Sequence, residues 1–251
     1  MDAVSPDRKS TRSTTHRARD RSVRQIFPIV VAAGLGLALL GLGIPRTVAA
    51  WAAVEAQPAL LKVGTTQEPS DAELTAAVAG LQRAVAWVPS ARSLTNLGAL
   101  EIVQARRRSF TDPRRAELLV AAEQHLSDGL QANPADGFAW FNLAVVGELR
   151  GAPGRKVATA LVQSLDMAPN IRQLWILRAG KLLAYRPYLK DDEVFALRSH
   201  LRTIWSAHEV FRLPLMQAAQ RSGQLSMIPL ALNGDPEAQA EFARLKTKLP
   251  Q

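Results

Sequence analysis

The chain has 251 residues, 47% of them hydrophobic, a net charge of +9 and no cysteine. That length can bury a sizeable core, and the missing cysteine excludes disulfides, a thiol nucleophile and thiolate metal sites. The charge does not call for nucleic acid, because much of it lies in residues 1–24, where seven basic side chains face three acidic ones.

Residues 1–24 are polar, basic and rich in Ser and Thr, which predicts a disordered tail on the cytoplasmic side. The next segment, 25–45, reads as a transmembrane helix. From Ile26 to Ile44 nineteen residues pass without a charge. As a helix they span about 28 Å, close to the roughly 30 Å hydrocarbon core of a bilayer. Basic residues stay inside, so the chain crosses once and places its larger part outside the cytoplasm. Val48-Ala49-Ala50 has the small residues of a signal-cleavage site. The apolar run is longer than a signal sequence needs, which favours an uncleaved anchor. Residues 46–69 form a juxtamembrane segment and linker. In it, Trp51 suits the bilayer interface, Pro58 disturbs any continuing helix, and 62–69 (KVGTTQEP) joins the domain.

The domain, 70–251, reads as all-α. Ser70 and Glu73 have capping-box spacing, and apolar residues follow at helical intervals up to Pro89. Further helices are expected near 90–105, 114–132, 136–149, 154–167, 171–185, 191–207, 209–221 and 236–248. Asp235 and Pro236 serve the last as N-cap and first residue. No stretch alternates with period two, so no sheet is expected.

The helix-ending prolines expose a recurrence. Ala77, Leu81 and Ala84 stand before Pro89; Ala122, Leu126 and Gly129 before Pro134; Val157, Leu161 and Ser164 before Pro169, all at the same offsets. Helices cross closely where small side chains face each other, with the leucine filling the space beside them. The helices that follow carry Leu94, Leu97 and Gly98, then Trp140, Leu143 and Ala144, then Trp175, Arg178 and Ala179. This pattern, over roughly residues 71–208, resembles the tetratricopeptide repeat. The third unit departs from it, with Arg178 where leucine is expected. The resemblance implies a solenoid of antiparallel helical hairpins whose first helices line a groove for a protein partner. It places Asn96 and Asn142 at equivalent positions, where peptide-binding members carry a backbone-binding asparagine, with Arg92, Phe138, Phe141 and Glu148 beside them. Ala99 stands where a carboxylate clamp would need another asparagine. The layout of one span plus a helical repeat domain also resembles bacterial envelope proteins that accompany polysaccharide and O-antigen systems. An excess of arginine over lysine and abundant alanine fit a GC-rich bacterial genome, which makes the outer compartment the periplasm.

Catalytic motifs are not found. His16, His125, His200 and His208 have no metal-ligand spacing, and no phosphate loop or nucleophile elbow occurs. His125 reads as an exposed helix residue. Asp191, Asp192 and Glu193 read as a helix start, where carboxylates meet the positive end of the dipole. Trp175 and Trp205 read as core. Arg106, Arg107, Arg108, Arg114 and Arg115 form the densest outer charge, a candidate contact for anionic lipid or acidic polysaccharide. The sequence therefore predicts an anchored, non-catalytic scaffold for protein partners, with no cofactor, no metal and no nucleic-acid partner. The alternative is an envelope enzyme, or a subunit of one, without a recognisable motif. Oligomeric state is left unassigned.

Overall fold

A computed structural model describes residues 14–63 and 67–249, with side chains from residue 28 onward. All regular elements among the described residues are helices. The chain forms two units that meet between Val48 and Ala49.

The first unit holds most of α1, Thr14–Val54. This helix begins inside the segment that composition predicts to be disordered. Between Thr14 and Phe27 there is neither Gly nor Pro, and arginine and alanine propagate a helix already nucleated by the apolar run. Pro28 and Pro45 lie within it. Leu35, Leu37, Leu39 and Leu42 are all more than half exposed among the described residues. Pro28–Val54, 27 residues with a mean hydropathy of 2.1, is long and apolar enough to cross a membrane, and it equally has the properties of a signal sequence. The basic residues of the tail lie outside the described side chains.

The second unit begins with the last residues of α1, which end at Val54, ahead of Pro58. There follow α2 (Gln57–Val63), α3 (Asp71–Trp87), α4 (Ala91–Arg106), α5 (Pro113–Ala132), α6 (Gly137–Leu149) and α7 (Gly154–Met167). Then come α8 (Arg172–Ala184), α9 (Asp191–Ala207), α10 (Arg212–Arg221), α11 (Met227–Ala231) and α12 (Pro236–Lys246). Most boundaries carry the expected chemistry. Ser70 accepts from the Glu73 amide at 3.2 Å, and the Glu73 carboxylate accepts from the Ser70 amide at 2.7 Å, completing the capping box. Asp112, Asp136 and Asp235 cap α5, α6 and α12 in the same sense. Asp191, Asp192 and Glu193 form the first turn of α9, where the Glu193 carboxylate accepts from the Lys190 amide. Residues 209–211 form a 3-10 turn ahead of α10, and α11 is a short helix that periodicity does not reveal.

Small residues set the packing. A Cβ on Gly98 would lie 2.7 Å from Leu126 Cγ, and one on Gly129 would lie 2.5 Å from Thr95 Cγ2. These contacts join the middle of α4 to the middle of α5, and the start of α4 to the end of α5, so the pair is antiparallel. Gly137 likewise abuts Ala168 and the Ser164 carbonyl, pairing the start of α6 with the end of α7. Leu126 and Leu161, the matched leucines, are fully buried. A second recurrence concerns the tryptophans. The Trp140 indole donates to the Pro134 carbonyl at 2.8 Å, and Trp175 donates to the Pro169 carbonyl at 2.9 Å. Each closes the entry to its helix on the proline that ended the previous one.

The third pair differs. Helix α8 packs more widely on α10 than on α9, and Gly180 sets the closest approach, with its Cβ position 3.4 Å from Ala218 Cβ. The continuous core runs from Ile102 of α4 to α12 and includes Trp175 and Trp205, both nearly fully buried.

Candidate functional site

A groove of about 530 Å³ opens on one face of the second unit. Its walls come from α4, α6 and α8, with Leu60 and Val63 of α2 at one edge. Two rows of equivalent helix positions line it. Arg92, Phe138 and Gln173 form one row, and Asn96, Asn142 and Leu177 form the other. The spacing that sets Trp140 against Trp175 also sets Phe138 against Gln173 and Asn142 against Leu177. The groove therefore follows from stacking the same helix face three times.

The chemistry along the rows is mixed. Phe138 and Leu177 are 41% and 59% exposed, unusual for side chains of that size. Among the described residues no partner engages the Arg92 guanidinium or the amides of Asn96, Asn142 and Gln173. They are four polar groups with unspent hydrogen bonds beside two apolar ones. The floor is fixed. Thr95 Oγ1 lies 3.4 Å from Asp136 Oδ2, while Asp136 Oδ1 caps the Ala139 amide at 3.0 Å. Phe141 is nearly buried and forms floor rather than rim.

Of the six groove residues expected from sequence, five line this cavity and Glu148 does not. Six residues beyond Asn142, Glu148 is turned about 240° around α6. It pairs with Lys181 in a neighbouring depression that shares only Leu177 with the groove. Gln173 and Leu177 were missed, although the tryptophan spacing carries the signal for both.

The five-arginine surface is corrected more heavily. Arg115 is buried; its Nη1 donates to the Ala105 carbonyl at 2.9 Å, and its guanidinium carbon stacks 4.4 Å from the Phe110 ring centre. Arg107 Nη1 meets Asp71 Oδ1 at 2.6 Å, and Nη2 donates to the Pro69 carbonyl. Arg108 pairs with Asp112 at 3.0 Å. The carbonyls ending α4 and the acidic start of α3 lie within reach of these side chains and hold them. Of the five, only Arg106 and Arg114 remain exposed with no side-chain bond to the described residues.

His125 is not simply exposed. Its Nδ1 lies 2.9 Å from Oε2 of Glu101, a carboxylate that is itself buried. The hydrogen bond to Glu101 raises the His125 pKa against the opposing effect of burial. His200 is buried, and burial, reinforced by the nearby Arg178 charge, pushes it down to about 4. No group of His, Cys, Asp and Glu suited to a metal occurs among the described residues. The chain matches no family model, no curated protein and no solved structure.

Proposed function

We propose that the chain is a membrane-anchored adaptor whose helical domain, built as tetratricopeptide-like hairpins, holds an extended segment of a partner protein in the α4/α6/α8 groove. The observation that carries this reading is the set of polar side chains with no partner among the described residues, Arg92, Asn96, Asn142 and Gln173, beside exposed Phe138 and Leu177. An extended backbone presents N–H and C=O groups at regular intervals, and asparagine and glutamine amides can both donate to and accept from it. The apolar pair gives alternate side chains of the segment a surface to cover. The hairpin reading draws support from the antiparallel α4/α5 and α6/α7 pairs, the matched Trp-to-Pro bonds and the buried matched leucines. The apolar N-terminal helix serves as the anchor, with the groove in the periplasm. A role in envelope polysaccharide assembly or export follows from the resemblance of the layout alone.

The test is recovery of partners from solubilised membranes by wild type and by the Asn96→Ala/Asn142→Ala variant. Each amide is worth about 0.5–1.5 kcal/mol net, since bonds to water are exchanged for bonds to the partner. The double variant therefore loses about five- to a hundredfold in affinity. Both side chains line the groove without bonds to other described residues, so the circular dichroism spectrum stays unchanged. Equal recovery of partners with an unchanged spectrum refutes the groove as the binding site.

A further inference from the structure

The sequence holds five asparagines, and the residue after each decides whether its side chain is open to attack by its own backbone. The amide nitrogen of the next residue and the asparagine Cγ are placed to close a five-membered ring. Proximity makes that nitrogen an intramolecular nucleophile if it has a proton to lose, is free of a hydrogen bond and is not screened by a bulky side chain. Four of the five fail. Asn133 precedes Pro134, which has no N–H. Asn96 and Asn142 lie inside α4 and α6, where the amides of Leu97 and Leu143 belong to the helix ladder. Asn170 precedes the β-branched Ile171, whose amide donates to the Ala168 carbonyl at 3.5 Å.

Asn233 meets every requirement. It lies with Gly234 in the turn between α11 and α12, and both are exposed. The Asp235 amide closes the turn around them by donating to the Leu232 carbonyl at 3.1 Å. Gly234 has a φ of +89°, which glycine adopts without steric cost. Its own amide finds no acceptor among the described residues, and nothing lies within 4 Å of where a Cβ would stand. The nucleophile is therefore free and unscreened. Arg202 of α9 holds the turn from the other side. Its Nε donates to the Ala231 carbonyl at 2.8 Å and its Nη2 to the Asn233 carbonyl at 3.4 Å. No carboxylate pairs with this guanidinium among the described residues.

We infer that Asn233 is a site of spontaneous deamidation, whose product sets a new carboxylate beside Arg202. The Gly234 nitrogen gives its proton to hydroxide and bonds to Cγ of Asn233. The Cγ–Nδ2 bond breaks, and Nδ2 takes up a proton and leaves as ammonia. Water then opens the cyclic imide. Breaking the bond from the Gly234 nitrogen to Cγ leaves aspartate; breaking its bond to the main-chain carbonyl carbon leaves isoaspartate. Either product exchanges a neutral amide for a carboxylate, to which Arg202 offers charge-assisted hydrogen bonds. Isoaspartate also adds a methylene to the main chain just before Asp235, whose carboxylate caps α12 by accepting from the Ala238 amide at 3.0 Å. That helix sets Phe242 against Trp205, with ring centres 6.3 Å apart. The modification thus acts on the seating of the last helix.

The test uses the full chain, purified in detergent, held at mildly alkaline pH and sampled over days. Digestion with pepsin in acid keeps the digestion itself from driving the reaction. Mass spectrometry follows each asparagine, and electron-transfer fragmentation locates isoaspartate. The peptide that holds Asn233 gains the mass difference between O and NH, progressively and faster at higher pH, because the Gly234 amide must lose its proton. Peptides that hold Asn96, Asn133, Asn142 and Asn170 keep their mass. Asn233→Gln removes the gain, since the added methylene takes the carboxamide carbon out of the five-membered ring. A folded chain whose Asn233 peptide keeps its mass overturns the inference. So does an equal gain at Asn170, which would show that the turn confers no selectivity.

Discussion

Arg178 holds the place that Leu97 and Leu143 hold in the preceding pairs, and it is completely buried. Its Nη1 donates to the Ala168 carbonyl at 3.0 Å, but Nε and Nη2 find no acceptor among the described residues. Burial without a carboxylate lowers its pKa to about 10. His200 lies in its field, with an unpartnered Nε2, and is itself held at about 4. A buried cation without an anion costs more than an apolar side chain of similar size. Arg178→Leu is therefore expected to raise stability by about 1–3 kcal/mol in chemical denaturation; a loss would show that the Ala168 bond outweighs the unpaired nitrogens. The same region predicts acid sensitivity. His200 titrates near 6.5 in the unfolded chain and near 4 in the fold, so below about pH 6.5 the unfolded state binds the extra proton. The stability that neutral His200 confers is complete above pH 6.5, is lost as pH falls toward 4, and changes no further below that. Between about pH 7 and about pH 5 the loss is about 2 kcal/mol, and His200→Leu abolishes it. His125 acts with the opposite sign. Its raised pKa contributes stability below 6.5 that disappears as pH rises through the folded value. His125→Gln therefore steepens the acid loss, and a flat profile in that variant would contradict the assignment.

At the scale of helices, the matched leucines and glycines determine the stacking. Leu126 and Leu161 are fully buried, and Leu→Ala at either position is expected to cost about 2–5 kcal/mol. Gly98→Ala tests the crossing itself. The new Cβ would meet Leu126 Cγ at 2.7 Å and the Ala122 carbonyl oxygen at 3.0 Å, and the carbonyl belongs to a helix that cannot yield locally. The expected cost is about 1–3 kcal/mol, and a neutral result in urea denaturation would remove the close α4/α5 approach. These features were legible because they are periodic or local. The 3.6-residue spacing gave the helices from α3 to α9, prolines ended several of them, and caps lay within four residues of their acceptors. What stayed hidden depends on contacts remote in sequence. His125 looked exposed because its partner Glu101 is 24 residues away on another helix. Arg107 looked free because Asp71, 36 residues earlier, is brought to it only by the α3/α4 packing. Arg178 looked like a lapse in a repeat, since no single helix reveals that the Ala168 carbonyl and His200 of α9 lie beside it. The groove was read only in part although its rows repeat along the chain, and helical spacing alone already turns Glu148 away from Asn142.

The whole molecule poses a question of direction. Pro28–Val54 meets the length and apolarity of a membrane span and of a signal sequence alike. Two physical arguments favour retention and one orientation. Seven basic residues precede the apolar run, and moving them across a membrane is strongly disfavoured, which under the proposed anchor favours a cytoplasmic N-terminus. Cleavage at Val48-Ala49-Ala50 would also remove Ala49 from its packing against Ala52 and Ala84, at the foot of the domain. An uncleaved chain keeps that contact. The expected outcome is a single full-length species in the membrane fraction, with a periplasm-active reporter fused after Gln251 giving signal and a cytoplasm-only reporter at the same point giving none. Activity of the cytoplasmic reporter alone would reverse the topology. A shortened, soluble product would make the apolar helix a signal sequence, and the groove would then belong to a freely diffusing protein. Replacing Arg17, Arg19, Arg21 and Arg24 by Gln separates the two arguments. It removes most of the charge nearest the run while leaving the apolar helix and the Ala49 contact intact. If charge sets direction, this variant yields a mixture of orientations, read as signal from both reporters, while the protein remains in the membrane.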